Sequence, residues 1–237
     1  MIEILYEDDY FVIVNKPAKL QVYKSKLSND KDYLSDKMKS LKGNNIYPVY
    51  RIEKAISGLV IFSKDKETTQ KIFNLIKENK IKKGYSAIVR GWTTEGIIDK
   101  EIKDTDEKFK FSKNKVKALT SYKTIKHIEI PYFIDKYPQT RYSLVKIYPK
   151  TNYFHQIRRN FLSISHPILG DTTYGKTKHN NFLRNNINLN RLMLSADSLE
   201  FVHPYNDKEI NLNIRDKDFD LFFKKVKEEY SATVKDV

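Results

Sequence analysis

Four consecutive apolar residues, Leu59-Val60-Ile61-Phe62, follow a Ser57-Gly58 bend and the charged stretch Tyr50-Arg51-Ile52-Glu53-Lys54. A short apolar and β-branched run behind a Ser-Gly bend reads as a buried strand, so the charged stretch becomes a turn held on that strand's end. Turns aimed by a rigid scaffold carry function disproportionately, because water and ligands still reach them. Taken alone, an Arg-x-Glu pair in a turn is more often a solvated surface pair than a site.

The chain around this strand alternates between strand and helix patterns. Ile2, Ile4 and Leu5, then Phe11 to Val14, flank Glu7-Asp8-Asp9 as a hairpin that ends at Asn15-Lys16-Pro17. Residues 24 to 32 are polar and read as a loop. Lys82 to Trp92, Leu119 to Ile128 and Tyr142 to Tyr148 alternate as strands, and Leu192, Leu194, Leu199 and Phe201 suggest a further strand pair. Helical stripes run through Leu34, Met38 and Leu41, stopped by Gly43, and through Ile72, Phe73 and Ile76 behind a cap at Ser63 or Asp65. Others follow through Phe154, Ile157, Phe161 and Ile164, around Phe182-Leu183, and through Phe219, Phe222, Val226 and Tyr230. His155, Gln156, Arg158 and Arg159 fall on the other faces of the third stripe, where a cationic pair is ordinarily solvated. From Lys108 to Lys117 five lysines alternate with Phe109, Phe111 and Val116, the pattern of an edge strand with a cationic face or of a mobile basic loop. There is no repeat, low-complexity linker or composition break. The expectation is one α+β domain over residues 1–237, with a large mixed, mostly antiparallel sheet flanked by helices.

Charge narrows the partner. The 44 basic and 30 acidic residues leave a formal charge of +14, and a pI near 9.5 favours a polyanion, of which nucleic acid is the commonest. The absence of Cys excludes disulfides, thiolate zinc sites and a Cys nucleophile, and none of the five His forms a His-x3-His pair. No apolar run approaches the ~18 residues of a membrane span, and Met1-Ile2-Glu3 opens straight into a strand pattern, so the expected compartment is the cytoplasm.

Several stretches fall in one order: Asn15-Lys16-Pro17, Arg51-Ile52-Glu53 with Ser57-Gly58, Lys83-x-Tyr85-x-Ala87-x-Val89-x-Gly91, Ala118-x-Thr120-x-Tyr122, His155-Gln156-Ile157-Arg158 and His166-Pro167-Ile168-Leu169-Gly170-Asp171. In order and spacing they resemble the RluA-type pseudouridine synthases over nearly the whole chain. The stretch Asp171-Thr172-Thr173-Tyr174-Gly175, with Arg191-Leu192-Met193-Leu194, looks most like the TruC branch, which acts on a tRNA uridine. The resemblance implies isomerisation of a flipped-out uridine to pseudouridine without cofactor or metal, by a monomer whose partner is RNA: tRNA first, ribosomal RNA as the other candidate. It also implies a catalytic domain without the N-terminal S4-type domain of some relatives. Carried over residue by residue, Glu53, Tyr85 and Arg158 are catalytic. Arg51 fills the vacated stack and, with Lys83, His155, Gln156 and Arg159, contacts RNA. Glu53 stands where the family has Asp. The extra methylene moves a carboxylate by about 1.5 Å, and a misplacement of about 1 Å costs on the order of a hundredfold in rate. Two readings follow: a synthase refitted around Glu53, and a homologue that binds or remodels RNA without chemistry.

Overall fold

The structure, a computed structural model, describes residues 2–24, 30–105 and 110–237. In chain order the elements are β1 (Glu3–Glu7), β2 (Phe11–Lys16), α1 (Leu34–Lys42), β3 (Tyr47–Tyr50), β4 (Ser57–Ser63), α2 (Lys66–Lys77), β5 (Lys82–Arg90), β6 (Gly96–Thr105), β7 (Phe111–Ile130) and β8 (Thr140–Pro149). They continue with α3 (Gln156–Ser163), α4 (Thr177–Asn185), β9 (Leu194–Val202), β10 (Glu209–Asn213), α5 (Lys217–Tyr230) and β11 (Thr233–Asp236). This is the expected α+β content, with strands that are mostly antiparallel. The chain forms two compact units: Met1–Lys83 with Ser195–Ile214, and Gly84–Leu194 with Arg215–Val237. Neither is continuous in sequence, which is why no linker or composition shift marks them.

In the first unit β2 pairs antiparallel with β1 and β4, β3 pairs with the far end of β4, and β10 pairs with β9. Every residue of β4 is buried, as its apolar run requires. Its start lies parallel to β9, through Ser57↔Ser195 and Gly58↔Ala196. That contact needs a glycine. Gly58 has φ +118°, and a Cβ there would stand 2.0 Å from the Ala196 carbonyl oxygen. Asp65 caps α2, its carboxylate accepting the Thr68 N–H at 2.7 Å. Two helical stripes are narrower than the spacing predicts. Ile72 is buried while Phe73 is exposed, because adjacent helical residues diverge by about 100° and cannot share a core face. In α1, Leu34 and Met38 are buried and Leu41 is exposed.

In the second unit β8 lies between β5 and β7, and β7 carries β11 and, along its first half, β6. Its core gathers Ile88, Ile128, Tyr142 and Leu169 with Phe182 and Leu183 of α4 and Phe219, Phe222 and Val226 of α5, so the stripe on the last helix is a packing face. Of the lysine-rich stretch 108–117, residues 106–109 lie outside the described residues. From Phe111 onward it is strand, paired with β6 through Ile102↔Val116 and Lys103↔Lys115.

Candidate active site and nucleic-acid interface

The turn between β3 and β4 presents Arg51 to solvent, buries Ile52 and leaves Glu53 half-buried. Ile56 N–H closes it on the Glu53 carbonyl at 3.1 Å. The Arg51 guanidinium lies 5.3 Å from the Tyr23 ring centroid and hydrogen-bonds the Tyr23 hydroxyl. Lys54 pairs with Asp30 at 2.5 Å.

Beneath this turn is a residue that the sequence marks as a strand end, within the Asn15-Lys16-Pro17 stretch, but to which it assigns no role. Lys16 is 0% exposed. Its ammonium donates to the carbonyls of Pro17 (2.9 Å), Leu20 (2.8 Å) and Lys54 (3.3 Å). Three donors meeting three carbonyls satisfy a cation that would otherwise be very costly to bury. The Lys54 bond ties the catalytic-turn candidate to the end of β2. Lys83 is half-buried with its ammonium 5.3 Å from the Tyr50 ring centroid, and desolvation lowers its pKa.

In the second unit Tyr85 is buried on β5 opposite Ile147 of β8. The residues around the start of α3 are not the solvated face their charge suggests. Arg158 is 6% exposed, and its Nε and Nη2 each donate at 2.8 Å to Asp171, which is 1% exposed. Asp171 also accepts the N–H groups of Thr173 and Tyr174 at 2.9 and 3.0 Å, and these donors with the guanidinium outweigh burial and hold its pKa below the usual carboxylate range. Gln156 is equally enclosed. Its Oε1 accepts from Thr151 Oγ1 and Tyr153 N–H, and its Nε2 donates to the Leu119 carbonyl and Thr120 Oγ1. That exhausts the amide and locks α3 to β7. His155 adopts left-handed backbone geometry (φ 52°) before α3, stacks on Phe154 at 3.8 Å and sits 3.3 Å from the Tyr174 hydroxyl. Burial, then the nearby Arg158 charge, push its pKa down to about 3. Arg159 is half-buried and donates to the Lys103 carbonyl of β6 at 2.6 Å. The structure thus gathers Arg51, Glu53 and Lys83 in one unit and Tyr85, His155, Gln156, Arg158 and Arg159 in the other. Lys16 and Asp171 are the supports that sequence reasoning did not assign.

Among the described residues no group of three His, Asp or Glu could hold a metal, and no helix is long and apolar enough to cross a membrane.

Known proteins share this architecture. The family described as "RNA pseudouridylate synthase" matches residues 10–163, a span holding both the Glu53 turn and α3. A Vibrio parahaemolyticus protein named tRNA pseudouridine synthase C is 38% identical, covering 88% of this chain and 88% of its own. A Pasteurella multocida protein of the same name is 37% identical, covering 89% of this chain and 90% of its own. Among solved structures, Human RNA Pseudouridylate Synthase Domain Containing 4 superposes with a TM-score of 0.70 at 22% identity, over 98% of this chain and 94% of its own. Domain Containing 1 gives 0.72 at 20%, over 91% and 84%. At such identities the structures establish a shared fold.

Lys16→Met should cost about 3 kcal/mol or more, because three carbonyls lose their donor inside the protein; urea unfolding measures it, and a loss under about 1 kcal/mol would show the cradle to be dispensable. A second expectation concerns pH. His155 has a folded pKa near 3 against 6.5 unfolded, so its neutral form stabilises fully above about pH 6.5 and that stability drains as pH falls towards 3. The thermal midpoint should drop between pH 7 and pH 5. His155→Asn, which tolerates the left-handed backbone, should make that slope shallower while leaving the share of His179, whose pKa burial lowers to about 4; an unchanged slope would contradict the assignment.

Proposed function

Because the chain belongs to the RNA pseudouridylate synthase family, we propose that it isomerises a uridine of tRNA to pseudouridine, with Glu53 as the reacting carboxylate. The tRNA assignment is supported by the shared name of the relatives. The observation that carries the Glu53 role is the turn itself: a half-buried carboxylate on the end of a fully buried strand, its backbone held from below by Lys16.

The reaction breaks the N1–C1′ glycosidic bond and forms a C5–C1′ bond. A proton leaves C5 and one is gained at N1, so nothing is oxidised or reduced. A stacked base is out of reach and must be flipped, at a cost of about a few kcal/mol; Arg51, exposed and planar, fills the gap it leaves. The Glu53 carboxylate attacks the flipped nucleotide or assists departure of its base, freeing the ring to rotate. Tyr85 packs against the base and moves the proton, and Arg158, oriented by Asp171, is the third catalytic residue of this reading, a fixed cation for a developing negative charge. Lys83, His155 and Arg159 contact RNA, His155 as a neutral imidazole; Gln156 serves that surface by fixing α3. In this reading residues 1–237 act as one catalytic body, a cytoplasmic monomer needing neither cofactor nor metal.

Tritium at C5 of uridine tests this, since carbon reattachment expels it. The purified chain should release tritium from labelled tRNA, and Glu53→Gln should abolish release, by about a thousandfold or more, with RNA affinity retained. Glu53→Asp should lose on the order of a hundredfold if the pocket fits the longer side chain. Release that survives Glu53→Gln would remove Glu53 from the chemistry. RNA binding without release from either tRNA or ribosomal RNA would leave a binding protein.

A further inference from the structure

The second unit contains a cavity of about 580 Å³ whose lining includes Arg90 at the end of β5, the loop residues Asp135, Lys136 and Tyr137, Arg141 of β8, and His179 of α4. Its charges do not balance. Asp135 is paired with Lys178 at 2.9 Å, its charge also reaching His179 and Arg90 more weakly, and Arg141 is paired with Glu129 at 2.7 Å while lying 4.1 Å from the Trp92 ring centroid. Arg90 is half-buried, and among the described residues its guanidinium makes no hydrogen bond or ion pair; its bonds are backbone ones, to Pro167 and His166. Among the described residues Lys136 meets the Tyr137 ring, 5.7 Å away, and forms no ion pair.

His179 adds a donor. It is 6% exposed, and its Nδ1 lies 2.8 Å from the hydroxyl of Tyr142, which is fully buried. The phenol is held protonated by burial, and a buried O–H needs an acceptor, a part that falls to the His179 Nδ1, its partner among the described residues. This fixes the imidazole tautomer with hydrogen on Nε2. Burial and the Arg90 charge push the His179 pKa down to about 4, so the ring is a neutral donor at pH 7. A half-buried guanidinium, a ring N–H and an ammonium on one cavity, with its carboxylate already engaged, suit an anion. The volume exceeds what a lone phosphate needs and falls in the range, about 300–1,000 Å³, that holds a nucleotide-sized ligand. Tyr137, 66% exposed, offers an aromatic face for a base.

We propose that this cavity binds the phosphate group of a nucleotide, held by Arg90 and the His179 Nε2–H, balanced by Lys136, with Tyr137 as the stacking surface. Arg90 is five residues along β5 from Tyr85, about 17 Å of strand. The bound nucleotide is therefore not the one that reacts, and the site stands whether or not the chain is catalytic.

Calorimetric titration of the full chain with uridine monophosphate, uridine and a short oligouridylate tests it. Saturable binding of the monophosphate, clearly tighter than uridine, is expected, weakened about tenfold or more by Arg90→Gln and several-fold by His179→Phe. If the oligouridylate weakens in parallel, the phosphate belongs to an RNA strand; if only the monophosphate weakens, the site takes a free nucleotide. Uridine binding as tightly as its monophosphate, no saturation up to about 10 mM, or unchanged affinity in a folded Arg90→Gln chain would overturn the proposal. Should that variant not fold, Lys136→Glu on the exposed loop must reduce the affinity, and unchanged affinity there overturns it equally.

Discussion

The ammonium of Lys16, wholly out of water and held by three backbone carbonyls, is the constraint on which the first unit's architecture turns. A buried cation satisfied by carbonyls cannot move without stranding either itself or its acceptors, so the segments supplying those carbonyls share one geometry. They are the chain leaving β2 and the Glu53 turn. Gly58 adds a second lock: its approach to the Ala196 backbone fixes the start of β4, which begins at Ser57, two residues after the turn's Ala55. Just before the first of these points, Glu53 presents a half-buried carboxylate from a turn anchored at Lys54 and at Gly58, which is what preorganised chemistry needs.

The second unit uses a different device for the same end. The Arg158–Asp171 pair is bidentate and nearly inaccessible. Such pairs seldom add net stability over an apolar replacement, because desolvating both charges is expensive. What the pair supplies is orientation, since a planar fork on a fixed carboxylate admits one geometry. Gln156 does the corresponding work for the helix backbone: its Nε2 joins α3 to β7, and its Oε1 holds Thr151 and Tyr153 of the loop that leads into the helix. The polar residues at the start of α3 are thus an internal frame, and Arg159, reaching to the β6 carbonyl of Lys103, extends it to the basic ribbon.

Much of this was legible in the sequence. The buried β4, the first hairpin, the alternating strands β5, β7 and β8, the Asp65 cap and the packing face of α5 all follow from local periodicity and capping chemistry. The roles of Glu53, Tyr85 and Arg158 came with the family resemblance and not from spacing. What stayed hidden was non-local. Lys16 reads as an ordinary strand terminus until Lys54, far along the chain, supplies its carbonyl. A cationic pair on a helix reads as solvated until Asp171 is folded back against it. The parallel β4–β9 contact joins segments separated by most of the chain, and the division into two units leaves no linker because each is assembled from two separate stretches.

The most direct measurement maps pseudouridine by chemical labelling and primer extension across total tRNA and ribosomal RNA, from cells lacking the gene and from cells in which it is restored. The account predicts one tRNA position that loses the modification on deletion, regains it with the wild-type chain and fails to regain it with Glu53→Gln. A map unchanged by deletion, with the purified chain still holding RNA, would contradict the central claim that the Glu53 turn is a working catalytic site.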